Sequence, residues 1–454
     1  MDRILCLLIY FITVISRFSN FFARLGIGSY EEWKPGQKLK ILLVGYNGAR
    51  NTGSDVRVVT IAQQIRNLFG KDYVQITVMT LDAKSLEGYF DEDVVLLPFS
   101  SFFPWHVYRA CSCHHAAILC EGSTLKSTFA NALTLFMCEA AGIMSVQGKP
   151  CIAYGSEIGY MEPFLEKAVI RLCKNTYFIT RTQGSLAALK RLGLQGHAGT
   201  DTAWLYDRAI KAEEADQILL QQGWDGKKPL LGIATINPFC WPVRASLWKW
   251  IKGICRGDLS EQYDKWYFFS DSPSRRKAYK RYIQATACAV GSFLRKYDYF
   301  PVLIGMERLD EKPCRALMKR LSCPGAMFLS GDYSADIMTG ILRRLSSLVT
   351  SRYHAAVLSM ENGCPFVAIS MDERLDGIMQ ELSLDQKYLL HVTDHDLGKK
   401  LCSALSDACS DQETIHRHIQ SQLVRYRDKM TGMGVFLKQY LLDALPHNEG
   451  WELL

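Results

Sequence analysis

The sequence predicts an α/β protein with two doubly wound, Rossmann-like domains that face each other across a cleft. Short apolar runs that end in polar turns alternate with segments of helical periodicity, which is typical of parallel sheets covered on both faces. A polar stretch at 207–228 interrupts this alternation, which then resumes. We therefore expect an apolar segment and linker at 1–37, one domain at 38–208, and a second domain with C-terminal helices at 209–454.

In the first domain, apolar runs predict buried parallel strands, and the segments between them have helical periodicity. The predicted strands are 40–45, 75–80, 94–97, 116–120, 149–155 and 177–181. The predicted helices are 58–68, 130–144, 165–172 and 184–192.

The second domain repeats the pattern. Its predicted strands are 229–234, 300–304, 348–350 and 364–370, and its helical patterns are 241–255, 335–344 and 355–362. Ligands of such folds bind beyond the carboxyl ends of the strands and in the cleft between domains. The loops that follow strands are therefore the candidate site.

Composition narrows the choice of partners and compartment. The chain has 454 residues and a net charge of +7, with Lys and Arg dispersed rather than gathered in a stripe, so we expect no nucleic acid partner. The densest basic cluster, at 275–281, is interpreted as a solvated helix face. The 15 cysteines form no repeating framework, which favours reduced thiols and a cytoplasmic location.

The N-terminus has an apolar run at 4–15, followed by phenylalanines and by Arg17 and Arg24. We expect residues 4–24 to form an interfacial helix in peripheral contact with the inner face of the membrane. The alternative is a helix packed on the protein or in a homo-oligomer interface. Cleavage as a signal peptide and true spanning fit the pattern less well.

Three loops contain candidate site residues. The loop at 45–55 can bind an anion through backbone N–H groups at a helix N-terminus, or it is a tight turn without a ligand. After the strand at 348–350, Arg352 can hold a carboxylate or phosphate and His354 can exchange a proton, or both serve structural roles. Arg181 ends another strand; a salt bridge to Asp201 or Glu157 would also explain it.

Residues 111–115 read Cys-Ser-Cys-His-His, but this spacing is too compressed for a usual structural zinc site, so we predict no metal. The chain has no Gly-x-Ser-x-Gly elbow and no His-Glu-x-x-His motif. A hydrolase triad therefore lacks support.

Taken in order, six pieces resemble the motifs of the polysaccharide pyruvyl transferase family. They are the loop at 45–55, Glu-Gly-Ser-Thr-Leu at 121–125, Lys-Pro leading to Tyr-Gly-Ser-Glu-Ile-Gly at 149–159, Arg-Thr-Gln-Gly-Ser at 181–185, Asp201, and Ser-Arg-Tyr-His-Ala at 351–355 before Gly-Cys-Pro-Phe-Val-Ala-Ile-Ser at 363–370. The resemblance covers roughly residues 38–400. The chain departs from the family pattern at Ser54, Asp55 and Thr182, and has a single glycine at 122.

This resemblance implies a GT-B-like fold, phosphoenolpyruvate as donor substrate, a sugar or lipid-linked glycan as acceptor, a pyruvate ketal as product and no cofactor. It implies His354 as the acid/base, with Arg181 and Arg352 holding the donor. The implied donor- and substrate-binding residues are Asn51, Gly53, Asp55, Gly122, Ser123, Gly155 and Arg374.

Two other functions remain as alternatives at this stage. One is a glycosyltransferase of the same architecture that uses a nucleotide sugar. The other is a non-catalytic relative that binds a glycan, which the altered first loop suggests. For Arg374, an ordinary surface role is an equal alternative to ligand binding.

Overall fold

The computed structural model describes residues 1–100, 102–256 and 262–445. Its helices are α1 (Asp2–Ser16), α2 (Ser19–Arg24), α3 (Thr52–Phe69), α4 (Pro104–Ser112), α5 (Asn131–Val146), α6 (Pro163–Leu172), α7 (Gln183–Arg191), α8 (Ala212–Gln221), α9 (Leu247–Arg256), α10 (Pro273–Lys296), α11 (Glu311–Leu321), α12 (Ala335–Arg343), α13 (Tyr353–Ser359), α14 (Glu373–Glu381), α15 (Asp385–Tyr388), α16 (Leu397–Ser410) and α17 (Gln412–Ala444). Short 3-10 turns occupy Lys84–Leu86, Thr202–Leu205, Arg308–Asp310 and Met360–Asn362.

The N-terminal domain is built on a parallel sheet of strands in the order β3-β2-β1-β4-β5-β6-β7. The strands are β1 (Leu39–Val44), β2 (Val74–Thr80), β3 (Val95–Pro98), β4 (Ala116–Leu119), β5 (Cys151–Ser156), β6 (Tyr177–Thr180) and β7 (Gly196–Ala198). Successive residues of β1 belong to two different cores: Ile41 and Leu43 to one, Leu42 and Val44 to the other. Both faces of this sheet are therefore buried, which explains why its strands are continuous apolar runs.

The C-terminal domain has a second parallel sheet in the order β13-β12-β8-β14-β15-β16. Its strands are β8 (Leu230–Ala234), β12 (Phe300–Gly305), β13 (Ala326–Leu329), β14 (Ser347–Thr350), β15 (Phe366–Ser370) and β16 (Leu389–His391). A small antiparallel layer, made of β9 (Arg244–Ala245), β10 (Gln262–Asp264) and β11 (Tyr267–Phe268), precedes α10. The backbone N–H of Val243 donates to the carbonyl of Phe129 at 2.6 Å, so this layer contacts the N-terminal domain.

The strands predicted from apolar runs are all present, with ends shifted by at most two residues. The helix expected over 241–255 is wrong in its first part, because only Leu247–Arg256 is helical and Arg244–Ala245 is a strand. The physical reason is Pro242, which disfavours helical backbone at the residue before it and cannot donate a hydrogen bond.

The last helix, α17, leaves the C-terminal domain and packs on the N-terminal one. The ring of Tyr426 stacks on Trp204 with centroids 4.5 Å apart, and the Tyr440 hydroxyl donates to the carbonyl of Cys151 at 3.0 Å. A further interdomain hydrogen bond runs from the N–H of Thr52 to the carbonyl of Met306 at 2.9 Å. α17 thus braces the two domains against each other.

The N-terminal segment forms two helices against the first domain. α1 packs on α4 and α5 through Cys6, Ile9, Thr13 and Ser16, which are buried. Its opposite face, which includes Phe11, is exposed. None of the helices in the described part of the chain is at once long and apolar enough to cross a bilayer.

Candidate active site

A cavity of about 510 Å³ lies between the carboxyl ends of the two parallel sheets. Loops after β1, β4 and β6 form its N-terminal wall, and loops after β12 and β14 form its C-terminal wall. The sequence-predicted residues on its lining are Asn51, Gly122, Ser123, Arg181, Arg352, His354 and Arg374. Opposite lobes thus bring the three candidate catalytic residues to one cavity.

His354 lies in the first turn of α13, and its side chain is 16% exposed. Its Nε2 lies 3.6 Å from Oδ2 of Asp201, which is beyond ordinary hydrogen-bond distance. Burial lowers the pKa of His354 below its ordinary value, and the carboxylate of Asp201 only partly offsets this. The resting imidazole is therefore neutral at neutral pH and is able to accept a proton.

Gly53 explains how His354 reaches this position. A Cβ at Gly53 would overlap with Nδ1 of the imidazole, so the ring packs directly on the backbone of α3. The same helix N-terminus is capped by Asn51, whose Oδ1 accepts from the N–H groups of Gly53 and Ser54 at 3.1 and 3.3 Å. The loop at 45–55 therefore positions the imidazole, and its Asn51 also lines the cavity.

Beneath the cavity, Asp201 is fully buried and binds two guanidinium groups. Its Oδ2 accepts from Arg57 at 2.8 Å and from Arg181 at 2.9 Å. Burial alone would raise the pKa of Asp201, but the adjacent cations hold it well below its ordinary value. Asp201 is thus a permanent anion that fixes both arginines and faces His354.

Arg181 is held on a second side by Glu157, with Nε and Nη2 each 2.9 Å from Oε2. Its guanidinium also stacks on the ring of Tyr353, 4.3 Å from the centroid. Both ion pairs that the sequence offered as an alternative explanation are therefore present. Arg181 borders the cavity, but two carboxylates already neutralise it, so its main effect is to hold neighbouring groups in place.

Arg352 is also paired from within the protein. Its Nη2 lies 3.1 Å from Oε2 of Glu307, and its Nε lies 3.2 Å from Oδ2 of Asp310. Burial raises the pKa of Asp310 to about 7 even though Arg352 lowers it. Arg352, which borders the cavity, is thus held in place by two carboxyl groups, one of which is a weaker acid than usual.

Arg374, in the first turn of α14, also lines the cavity. Its Nη2 lies 2.8 Å from Oδ2 of Asp372, and its guanidinium lies 4.6 Å from the centroid of Phe129. Burial would raise the pKa of Asp372, but Arg374 and Lys126 hold it well below its ordinary value, so this pair stays ionised.

The remaining predicted residues shape the walls. Gly122 lies against Arg181 and Arg57, and the N–H of Ser123 donates to Oε1 of Glu121 at 3.0 Å. Gly155 does not line the cavity; with φ of +67° it forms an irregularity near the end of β5, where the pairing with β6 shifts between Tyr154 and Ser156, and its carbonyl accepts from Arg57 at 3.0 Å.

Asp55 also lies outside the cavity lining, contrary to its predicted contact with substrate. Its side chain is buried in the first turn of α3, and Oδ1 has no hydrogen-bond partner among the described residues. Burial raises the pKa of Asp55 to about 8, although Arg50 opposes the shift. This residue is therefore a buried carboxyl group that does not reach the cavity.

Sequence reasoning missed several residues of the site. Arg308 follows β12, is exposed on the cavity wall and makes no ion pair with any described residue. Arg57 reaches Asp201 across 144 positions of sequence, a distance that no local motif indicates. The strand-end rule that found Arg352 would also have indicated Glu307 and Arg308, because both follow β12 closely.

The cavity has two chemically distinct ends. We call the part lined by His354, Arg181, Arg308 and Arg352 the charged end; Arg374, by contrast, lies 4.6 Å from the centroid of the Phe129 ring. Aromatic and aliphatic side chains form the rest of the lining: Leu81, Phe99, Phe103, Phe129, Leu133, Phe136, Trp241, Val243, Tyr263 and Tyr267. Trp241 packs edge-on against Phe129 with centroids 5.0 Å apart, so both domains contribute to the aromatic end.

The cysteine and histidine cluster at 111–115 is used within the fold. Nδ1 of His114 lies 2.6 Å from the carbonyl of Ala110, and Nδ1 of His115 accepts from the N–H of Lys40 at 3.0 Å. The described residues contain no group of three or more His, Cys, Asp or Glu side chains that could hold a metal ion.

Structural comparison confirms the predicted GT-B-like architecture. UDP-GlcNAc 2-epimerase from Neisseria meningitidis, bound to UDP-GlcNAc, is 9% identical with a TM-score of 0.56, covering 89% of this chain and 100% of its own. A glycosyltransferase from Rickettsia africae ESF-5 is 8% identical with a TM-score of 0.53, covering 90% and 99% respectively. At this level of identity the similarity concerns the fold alone. None of the curated proteins is significantly similar to the chain in sequence.

The family comparison covers most of both domains and most of the cavity lining. Residues 51–373 match the model of the polysaccharide pyruvyl transferase family. The matched span begins at Asn51 and ends at Glu373, so it contains His354 and both arginines paired with Asp201. The chain therefore belongs to the polysaccharide pyruvyl transferase family, which is a family of transferases.

Proposed function

We propose that this protein transfers the pyruvyl group of phosphoenolpyruvate to two hydroxyls of a sugar, forming a pyruvate ketal and releasing phosphate. The observation that carries the proposal is the neutral imidazole of His354, set beside arginines from both lobes in one cavity with an aromatic end. A small dianionic enol ester fits the charged end, and a sugar fits the aromatic end.

The donor would lie against Arg308 and Arg352. Phosphoenolpyruvate carries a phosphate and a carboxylate, both of which pair with guanidinium groups. Arg308 has no carboxylate partner among the described residues, and the cavity therefore offers it for a ligand. Arg181 is neutralised by Glu157 and Asp201, so we assign it to positioning rather than to direct donor contact.

The proton balance of the reaction suits His354. A sugar hydroxyl bonds to C2 of the donor and loses its proton to the neutral imidazole, which delivers a proton to C3, so that the methylene becomes a methyl group. The C2–O bond to phosphate then breaks, and the second hydroxyl bonds to C2. Its proton leaves with the phosphate. One proton from each hydroxyl is thus accounted for without any cofactor.

The acceptor would lie at the aromatic end of the cavity. The apolar faces of sugar rings pack on aromatic side chains, and Trp241, Tyr263 and Phe129 supply such surfaces. Glu121 borders the same cavity, where it also accepts from the N–H of Tyr46 at 3.3 Å. A carboxylate beside the acceptor can accept a hydrogen bond from a sugar hydroxyl.

The direct test is phosphate release from phosphoenolpyruvate in the presence of a panel of acceptor glycans, with product analysis for a ketal. A parallel series replaces the donor with nucleotide sugars. Release of phosphate that depends on an acceptor supports the proposal. Transfer from a nucleotide sugar, without use of phosphoenolpyruvate, would instead establish a glycosyltransferase.

The first variant tests the contact between Gly53 and His354. Gly53→Ala should lower kcat about 10- to 100-fold, because the new methyl group displaces the imidazole from its position. Helix stability should change little, since alanine favours helix more than glycine. Steady-state kinetics and thermal unfolding measure both effects.

Gly184→Ala is the matched control for that variant. Gly184 is also the second residue of a helix, and a methyl group at this position would have its nearest neighbouring atom 3.9 Å away. It should keep wild-type kcat. Equal losses in the two variants would show that crowding of His354 is not the cause.

The second variant tests the donor contact. Arg308→Ala should raise KM for phosphoenolpyruvate about tenfold or more, which corresponds to the loss of one charge-assisted hydrogen bond. Arg315→Ala removes an exposed arginine of α11 that is paired with Glu311, and should leave KM unchanged. An unchanged KM in Arg308→Ala would remove Arg308 from the donor site.

A further inference from the structure

The outer surface of the N-terminal helices is unusually apolar. α1 buries one face against α4 and α5, yet Ile4, Leu7 and Phe11 on the other face are 70%, 68% and 63% exposed. Val14, Phe18, Phe21, Leu25 and Ile27 extend this exposed row. A helix that is apolar on all sides is usually buried in a protein or placed against lipid.

A second helix, distant in sequence, adds to the same surface. In α9, the residues Leu247, Trp248, Ile251 and Ile254 recur at helical spacing and are all exposed, Trp248 at 73%. The N–H of Leu247 lies 3.2 Å from the sulfur of Met1, so α9 begins beside the N-terminus of α1. We call the exposed apolar residues of α1, α2 and α9, together with Leu25 and Ile27, the apolar face.

The charge around the apolar face is mainly positive. Residues 1–30 and 244–256 contain seven basic residues and one acidic residue, Asp2. Arg17, Arg24 and Lys252 are exposed, and they lie on or directly beside the elements of the apolar face. Basic residues beside exposed aromatic and aliphatic side chains match an anionic lipid surface.

The charge also argues against a second copy of the chain as the occupant. In a twofold symmetric contact each partner presents the same surface, so the basic residues of one copy would face those of the other. Such contact between like charges is unfavourable, whereas an anionic bilayer neutralises the basic residues.

We propose that α1, α2 and α9 together dock the protein on an anionic bilayer as a monotopic surface. α5, which packs beneath α1, also supplies Leu133 and Phe136 to the cavity lining. The segment around α9 contributes Val243 and Tyr263 to that lining. Docking therefore places the aromatic end of the cavity behind the helices that contact lipid.

The test is flotation of the full chain with vesicles of phosphatidylcholine alone and of phosphatidylcholine mixed with phosphatidylglycerol. We expect binding to the mixed vesicles that weakens as salt is added. The double variant Phe11→Gln and Trp248→Gln should lower the partition coefficient about tenfold or more. Val424→Gln with Val435→Gln is the matched control, because these valines of α17 are 60% and 63% exposed away from the apolar face.

A charge variant distinguishes docking on anionic lipid from nonspecific hydrophobic adsorption. Arg17→Glu with Lys252→Glu should reduce binding to the mixed vesicles and leave binding to pure phosphatidylcholine unchanged. Failure of the wild-type protein to float with either vesicle would overturn the proposal. So would a dimer in sedimentation that Phe11→Gln dissociates, because a second copy would then cover the face.

Discussion

His354→Ala is expected to lower kcat of pyruvyl transfer about 10²- to 10⁴-fold, which is the usual contribution of a positioned acid/base. The imidazole borders the cavity, and no other histidine lines it within the described part of the chain. Thermal stability should stay near the wild-type value, since the neutral ring has no hydrogen bond at Nε2 to lose. Initial rates of phosphate release and thermal unfolding measure these quantities.

His395→Ala is the matched control, because His395 is exposed on the loop before α16. It should retain full kcat. Retention of wild-type kcat by His354→Ala would remove the acid/base role and with it the proton path proposed above.

The pH profile of the wild-type enzyme adds a readout of the same group. Burial lowers the pKa of His354, so the neutral form that accepts a proton persists below the ordinary titration range of histidine. The acid limb of kcat/KM should therefore lie below pH about 6.5, the unperturbed value of histidine. A limb above that pH would contradict the neutral resting state.

Asp201→Asn should lower the free energy of unfolding by about 3–5 kcal/mol, the cost of leaving buried charges without their partner. Asp201 is fully buried, and its carboxylate binds Arg57 and Arg181 at 2.8 and 2.9 Å. Asparagine keeps the shape but not the charge, so two buried guanidinium groups lose their shared anion. Denaturant unfolding at neutral pH measures the loss.

The contribution of Asp201 has a definite pH dependence. Its pKa is lower in the folded than in the unfolded state, so its stabilisation is present above the unfolded pKa and is lost as the pH falls through the folded pKa. The difference between wild type and Asp201→Asn should accordingly shrink in strong acid. A constant difference would show that charge is not the cause.

Asp216→Asn is the control for a surface pair. Asp216 binds Arg344 at 2.6 Å, but both side chains are about one third exposed. The expected loss is about 0–1 kcal/mol, because solvent screens the pair. A loss as large as that of Asp201→Asn would mean that burial of the ion pair does not determine its cost.

The sequence predicted the parts of the molecule that depend on local pattern. β1 and β14 are buried apolar runs, and the loops that follow them meet at the cavity because parallel strands end at the same edge of a sheet. The position of His354 followed from this rule. Its packing on Gly53 did not, because that contact joins residues from two domains.

The sequence could not predict contacts between residues that are far apart along the chain. Arg57 looks like an ordinary residue in the second turn of α3, and only the fold shows that it binds Asp201. For Arg181, local pattern could not decide between ligand binding and ion pairing, because the answer depends on whether Glu157 and Asp201 converge on it. The N-terminal helix posed the same difficulty: α1 packs on the protein with one face and exposes the other, and contact of the exposed face with a membrane stays a prediction.

The central claim is that the charged end of the cavity binds phosphoenolpyruvate. Isothermal titration of phosphoenolpyruvate into the wild-type chain and into Arg308→Ala, with UDP-GlcNAc titrated in parallel, tests it without knowledge of the acceptor. We expect saturable binding of phosphoenolpyruvate that weakens about tenfold in Arg308→Ala. Saturable binding of UDP-GlcNAc, with no heat from phosphoenolpyruvate, would contradict the claim.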